Sequence, residues 1–123
     1  MPGTDIVIYK DEDGSVPLIE WLETQTPKVQ DKCIALIELL ASRGRELRRP
    51  HADYLDRGIY ELRPTVRHVQ YRVLYCFVGR NVVLLTHGLV KTKKIPAQQI
   101  DKAIEHREKF IHNPQRHSYV MKD

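Results

Sequence analysis

At 123 residues the chain is long enough for one compact domain with one core and too short for two domains of ordinary size. Lys and Arg number 20 against 16 Asp and Glu, a net charge of +4 that favours an anionic partner, while only two cysteines argue against a disulfide framework. No stretch approaches the roughly 18 to 20 apolar residues of a membrane span, and the first residues show no basic segment followed by an apolar run, so a soluble cytoplasmic protein with no membrane partner is expected.

In chain order, Asp5-Ile-Val-Ile-Tyr-Lys10 is a short β-branched run ended by the turn residues Asp11-Glu-Asp-Gly14, which predicts a strand. Ser15 is the expected cap of a short helix with Pro17 in its first turn and Leu18, Trp21 and Leu22 at helical spacing, stopping near Thr24. A second helix starts at once, with Thr26 as cap and Pro27 at the first helical position. Val29, Cys33, Leu36, Ile37 and Leu40 form its apolar stripe, and Gly44 ends it. Arg45 to Asp56 has no clear period and is expected to be an ordered loop. Three strand signals follow, Gly58–Arg63, His68–Phe77 and Asn81–His87, joined by connections short enough for an antiparallel meander. Pro96 then opens a helix with Ile100, Ala103, Ile104 and Ile111 on one side and Lys102, His106 and Lys109 largely on the other. The fold expected is α+β, a small twisted antiparallel sheet with an N-terminal helical hairpin and a C-terminal helix, in the order β-α-α-β-β-β-α. Residues 1–112 make the single domain, and 113–123 follow the Pro114 breaker as a polar C-terminal tail, disordered or loosely docked.

Charge is unevenly placed. From Arg57 to Lys94 the basic residues Arg57, Arg63, Arg67, Arg72, Arg80, Lys91, Lys93 and Lys94 are opposed only by Glu61, leaving the rest of the chain net acidic. Strand alternation suggests where these charges point, because successive side chains face opposite sides of a sheet. Val69, Tyr71, Val73, Tyr75 and Phe77 make one apolar face, and His68, Gln70 and Arg72 begin the other. Glu61 and Arg63 likewise point away from the core side of Tyr60 and Leu62. Arg63 and Arg72 are thus expected to share an open face, rimmed by Lys91, Lys93 and Lys94 in the loop after His87. Guanidinium forks make two hydrogen bonds to phosphate oxygens and lysines add positive potential, so this surface suits a phosphodiester. The same pattern is also what a merely solvated sheet face looks like.

Other constellations are weak. His51, His68, His87, His106, His112 and His117 show no metal-ligand pairing and no cysteine lies near them in sequence, so no metal is expected. A phosphate-binding glycine loop and a G-x-S-x-G elbow are both missing. Cys33 and Cys76 read as buried free thiols, and Trp21, spaced with Leu18, reads as core. His87, at an expected strand end beside the lysines, is the histidine of most interest.

Ile59-Tyr-Glu-Leu-Arg63, then Gln70-Tyr-Arg-Val-Leu-Tyr75, then Thr86-His-Gly-Leu-Val-Lys-Thr-Lys-Lys-Ile-Pro96, followed by a helix with Ala103 and Arg107, together resemble the phage-derived HigB-like branch of the RelE/ParE toxins of type II toxin–antitoxin systems. The resemblance implies a ribosome-dependent endoribonuclease (mRNA interferase) that needs no metal or other cofactor and cuts message by attack of a ribose 2′-hydroxyl on the adjacent phosphate. Its implied partners are a cognate antitoxin of HigA-like helix-turn-helix type and mRNA on the ribosome. Arg63 matches the arginine ending the family's E-L-R strand and Arg72 that of its Y-R strand, both implied to hold phosphate. Lys91, Lys93 and Lys94 fall in its lysine-rich segment. No secure counterpart exists for the tyrosine that moves a proton in some relatives, since Tyr119 lies in the expected tail, which leaves His87, and Lys91 after it, as candidates. Ile95 stands where many relatives carry a capping Thr. Two other functions fit the same resemblance: a ParE-like inhibitor that poisons DNA gyrase by binding, and an inactive homologue acting in a repressor complex with its antitoxin.

Overall fold

The computed structural model describes residues 4–120. The chain begins with strand β1 (Asp5–Tyr9), followed by helices α1 (Pro17–Glu23) and α2 (Pro27–Arg43) and a single 3-10 turn at Gly44–Glu46. Strands β2 (Ala52–Asp56), β3 (Ile59–Leu62), β4 (Thr65–Val66), β5 (Val69–Val78) and β6 (Val82–Lys91) come next, then helix α3 (Ala97–His112) and strand β7 (Ser118–Tyr119). All these strands belong to one sheet in the order β2-β3-β5-β6-β1-β7, with β4 paired to β5 beyond the end of β3. The fold is α+β as the sequence predicts, but the sheet is mixed. β1 lies parallel to β6, with Asp5 opposite Val82 and Ile8 opposite Leu85, while β2 to β6 are antiparallel neighbours.

The start of α2 is where the sequence puts it, and that of α1 lies one residue later than expected. The Thr26 hydroxyl accepts a hydrogen bond from the Val29 amide, Pro27 opens α2, and Gly44 ends it at φ +55°, the backbone region where a Cβ is unwelcome. Ser15 does not cap α1. Its hydroxyl and amide both bond Asp13, and Val16 takes the cap position with its amide donating to Glu20 Oε2 at 3.0 Å. Asp13 wins the serine because a turn aspartate lies within reach of both donors.

The core has two layers. On one face of the sheet, Leu18, Val29, Cys33, Leu36 and Leu40 of the hairpin pack on Leu62, Val73, Tyr75, Val83 and Leu85. Trp21 belongs to this layer, set against Tyr71 and lying where a side chain at Gly88 would have to be. On the opposite face, Ala103 and Phe110 of α3 cover Ile59, Leu74, Cys76 and Leu84, with Tyr9 and Ile95 beside them. This second layer corrects the expectation of an open face, because α3 folds back over the side on which Arg72 and His87 lie. The phase of α3 differs too: His106 is buried and Ile111 is exposed. Ala103, His106 and Phe110 recur at helical spacing, so the histidine belongs to the buried stripe.

Three strands were not expected. β2 falls in the segment read as a loop; it is an edge strand whose Asp53 and Asp56 interrupt the apolar alternation, the kind of charge that keeps a sheet edge from pairing further. β4 turns into β5 through Arg67 and His68, both at positive φ, a tight hairpin lacking the Asn and Gly that usually announce one. β7 docks the expected tail: Tyr119 pairs with Ile8, Ser118 pairs with Tyr9, and His117 bonds the Lys10 carbonyl at 2.8 Å. Residues 121–123 of that tail lie outside the described residues. Cys33 and Cys76 are buried, which pushes their thiols up to about 11 and about 12.

Candidate functional site

The antiparallel pair β5–β6 runs from Val78 opposite Val82 at its turn to Gln70 opposite Lys91 at its far end. That far end gathers most of the candidate residues. The β4–β5 turn places Arg67 and His68 there, both exposed, and Lys91 closes β6 before Lys93 and Lys94 leave the sheet in an exposed segment leading to α3. Arg63 follows β3 directly, one strand over, beyond the pairing of Leu62 with Val73.

Arg63 and Arg72 do come together, through a shared carboxylate. Glu61 Oε2 lies 3.3 Å from Arg63 Nη1, and Glu61 Oε1 lies 3.1 Å from Arg72 Nε. The chain of charge continues from Arg63 to Asp53 at 3.6 Å and from Asp53 to Arg49 at 2.7 Å. Arg72 also donates to the Tyr71 carbonyl and to Gln70 Oε1, at 2.7 and 2.8 Å. Its Nε and Glu61 Oε1 are close but off the hydrogen-bond axis, so the pair is held by charge more than by an aligned bond.

Exposure separates the two arginines. Arg63 keeps 23% of its side chain open, whereas Arg72 keeps 1%. The expectation that Arg72 faces solvent is therefore corrected. Burial pulls its guanidinium below the ordinary value, Glu61 opposes that shift, and nearby Arg63 adds to it. A buried cation persists only with a partner, and Glu61, itself 2% exposed, is that partner. Sequence parity places both residues on the correct face but does not show that α3 and the chain leading into it cover that face.

His87 is not at a strand end. β6 continues through Gly88 to Lys91, and a register shift opposite Leu74 and Tyr75 turns His87 inward beneath α3. Its Nδ1 shares a hydrogen bond with Thr86 Oγ1 at 2.8 Å and its Nε2 shares one with Gln99 Oε1 at 2.9 Å. Burial lowers its pKa to about 4, against the opposing effect of the hydrogen bond that Gln99 Oε1 accepts. The ring is neutral at pH 7 and 4% exposed. Next to it, His106 meets His87 edge-on and stacks on Tyr9 at 4.0 Å, while His117 stacks on Tyr9 at 5.5 Å. Burial first, and then His87, lowers the pKa of His106 to about 3.

What remains accessible is a set of cations. Arg49, Arg57, Arg63, Arg72, Arg107 and Lys109 have carboxylate partners, and of the described cations without one, Arg67, Lys91, Lys93 and Lys94 lie together at this end of the sheet. Arg67 is the residue that sequence reasoning passed over as a contact, since nothing in Val66-Arg-His-Val69 signals a turn tip. Unpaired lysines and arginines grouped at one end of a sheet can hold a polyanion, each by charge and by hydrogen bonds to nonbridging oxygens.

A search of curated proteins finds no match to the chain. Residues 20–108 match the family described as "Phage derived protein Gp49-like (DUF891)", a stretch from the middle of α1 through most of α3 that includes Arg67, Lys91, Lys93 and Lys94. The chain therefore belongs to the phage-derived Gp49-like family, within the RelE/HigB-like toxin group.

Proposed function

We propose that this protein is the toxin of a type II toxin–antitoxin system and that it cuts messenger RNA on the ribosome. The observation that carries this reading is the group of unpartnered cations, Arg67, Lys91, Lys93 and Lys94, at one end of the sheet. In the cleavage proposed, the ribose 2′-oxygen attacks its own 3′-phosphate, a bond to the 5′-oxygen of the next nucleotide breaks, and a cyclic phosphate is left. A base takes the 2′-hydroxyl proton and an acid returns one to the leaving oxygen. Charge builds on the nonbridging oxygens, where fixed cations help most.

Arg63 and the lysines are the proposed phosphate contacts, with Lys91 the candidate acid at the leaving oxygen. Arg72 acts one step back: it neutralises Glu61, which in turn holds Arg63 in place. His87 serves the scaffold, tying β6 to α3 through Gln99. This assignment departs from the expectation that Arg72 and His87 would touch RNA, because neither is open to it.

The test is induction of the protein in cells with mapping of message 5′ ends. Translated messages should acquire cuts that disappear when initiation is blocked. Arg63→Ala should lower cutting by about 100-fold, the cost of removing one transition-state contact, and the joined Lys91→Ala, Lys93→Ala and Lys94→Ala changes should abolish it. Intact message alongside gyrase-dependent DNA breaks would overturn the reading in favour of a gyrase poison. Growth arrest without either would also exclude it.

A further inference from the structure

On the hairpin side of the sheet, tyrosines from three neighbouring strands stand in one row. Tyr54 of β2 is opposite Tyr60 of β3, and Tyr60 is opposite Tyr75 of β5. Tyr60 stacks on Tyr75 with ring centres 5.4 Å apart and meets Tyr54 edge-on at 5.1 Å. Tyr75 is buried, Tyr54 is 52% exposed and β2 is the edge strand, so the row runs from the core to the open edge. At its outer end is a hollow of about 440 Å³ lined by Arg45, Arg48, Asp53, Tyr54 and Tyr60 among others. The row lies five residues along β5 from Gln70, about 17 Å at the rise of a strand, and on the opposite face from Arg72.

The exposed groups of this hollow are held in place. The Gly58 amide donates to the Tyr54 hydroxyl at 3.0 Å, and Arg48 Nη1 donates to the Arg45 and Leu47 carbonyls at 2.6 and 3.3 Å. Arg45 lies over Phe77, 4.3 Å from the ring centre, while donating to the Gly79 carbonyl. Neither arginine has a carboxylate partner among the described residues, and Asp53, the carboxylate in the wall, is engaged by Arg49 and Arg63. Side chains fixed before a ligand arrives lose little freedom on binding it. An open ring beside two unpaired guanidinium groups is what a single strand needs from a sheet surface, since bases stack on aromatic faces and phosphates meet cations.

We propose that this hollow seats one nucleotide of a single-stranded RNA, its base against Tyr54 and its phosphodiester on Arg45 and Arg48. In taking RNA as the ligand the proposal rests on the function above, and it adds an anchor remote from the lysines. Asp53 joins the two regions: it lines the hollow and stands 3.6 Å from Arg63, so a strand held by Arg63 reaches the hollow around the β2 edge. A free nucleotide fits less well. Its terminal phosphate carries about two charges and is ordinarily cradled by amides at a helix start. This hollow instead takes Arg45 and Arg48 from just past the C-terminus of α2, where outward carbonyls disfavour added negative charge.

The test titrates the labelled protein with oligoadenylate, with an abasic ribose-phosphate oligomer of the same length, and with adenosine monophosphate, amide chemical shifts reporting where each binds. Oligoadenylate should shift the amides of Arg45, Arg48, Tyr54 and Tyr60, and the abasic oligomer should bind about tenfold less tightly, the worth of one stacked base. Tyr54→Ala should weaken oligoadenylate by a similar factor while amides outside the hollow stay native. Tyr54→Trp should keep the affinity, and its indole fluorescence should be quenched as the base stacks. Replacing Lys91, Lys93 and Lys94 together by Ala should remove the shifts at the sheet end and leave those at the hollow. Equal binding of the two oligomers, adenosine monophosphate binding as tightly as oligoadenylate, displacement from the hollow by polyglutamate, or loss of the hollow's shifts along with the lysines would each overturn the proposal. None of these readouts involves cutting. Intact message beside a hollow that binds would sink the ribonuclease alone, and cut message beside a hollow that does not bind would sink the anchor alone.

Discussion

Glu61 decides what each arginine can do. It stands 3.1 Å from Arg72 and 3.3 Å from Arg63, so removing either guanidinium changes the charge felt by the other. Arg72→Ala leaves the buried carboxylate with one partner only, and breaking a buried pair this way costs about 3 kcal/mol. Arg63→Ala removes a partly solvated partner and should cost under about 1 kcal/mol. Urea unfolding checks both, and joint replacement of Arg72 by Met and Glu61 by Leu should recover most of the loss, since neither charge is then stranded. Equal destabilisation by the two single changes would contradict the division of roles between them. The two buried histidines beneath α3 give a pH dependence of definite sign. His87 and His106 titrate near pH 6.5 when unfolded but at about 4 and about 3 when folded. Their folded values are depressed, so the folded state binds fewer protons, and the stability present above pH 6.5 drains away as pH falls through 4. Each ring contributes a slope of at most about 1.4 kcal/mol per pH unit in that window. His106→Phe keeps the ring that stacks on Tyr9 and removes one titration, so melting temperature measured from pH 7 to 4 should fall less steeply than in the native protein.

Helices and strands differ in how much of them was readable. α2 announces itself through Thr26, Pro27 and Gly44, and each behaves as local chemistry dictates, because caps and helix stops are settled by neighbours in sequence. The central strands β5 and β6 are equally plain, being long apolar runs. β2, β4 and β7 carry no clear apolar alternation, and they exist because a neighbouring strand offers them an edge: β1 recruits Ser118 and Tyr119, and β3 recruits Ala52 to Asp56. No window of sequence contains that information. The same holds for the parallel pairing of β1 with β6, made across most of the chain. Gly88 is a further instance, reading in isolation as the end of a strand beside His87. Its missing Cβ instead leaves room for Trp21 while β6 continues past it, and that contact joins α1 to the sheet. For the candidate site, parity correctly assigns Arg63, Arg72 and Glu61 to one face; α3, arriving from the far side of β6, decides which of them meets solvent.

At the scale of the whole molecule, the chain sorts its charge. A net charge of +4 would give only weak attraction to RNA if spread evenly, and several of its arginines are neutralised locally by Asp53, Asp56, Glu61 and Asp101. Four unpaired cations, Arg67, Lys91, Lys93 and Lys94, gather at the end of the sheet where β4 turns into β5 and β6 runs on toward α3, so the field there exceeds what an even spread would give. Such binding is driven by release of counterions, and for single strands the logarithm of the affinity falls with the logarithm of salt by about 0.7 per phosphate neutralised. If Lys91, Lys93 and Lys94 each meet one phosphate, replacing all three by Ala should lessen the slope by about 2 and weaken binding most at low salt. Oligouridylate titrations across a range of potassium chloride measure this directly. Arg57 and Arg49, already paired with Asp101 and Asp53, supply the control, since their replacement by Ala should leave the slope unchanged. A slope that falls equally for both sets would mean that the strand reads only total charge, and the sheet end would lose its claim to be the RNA site.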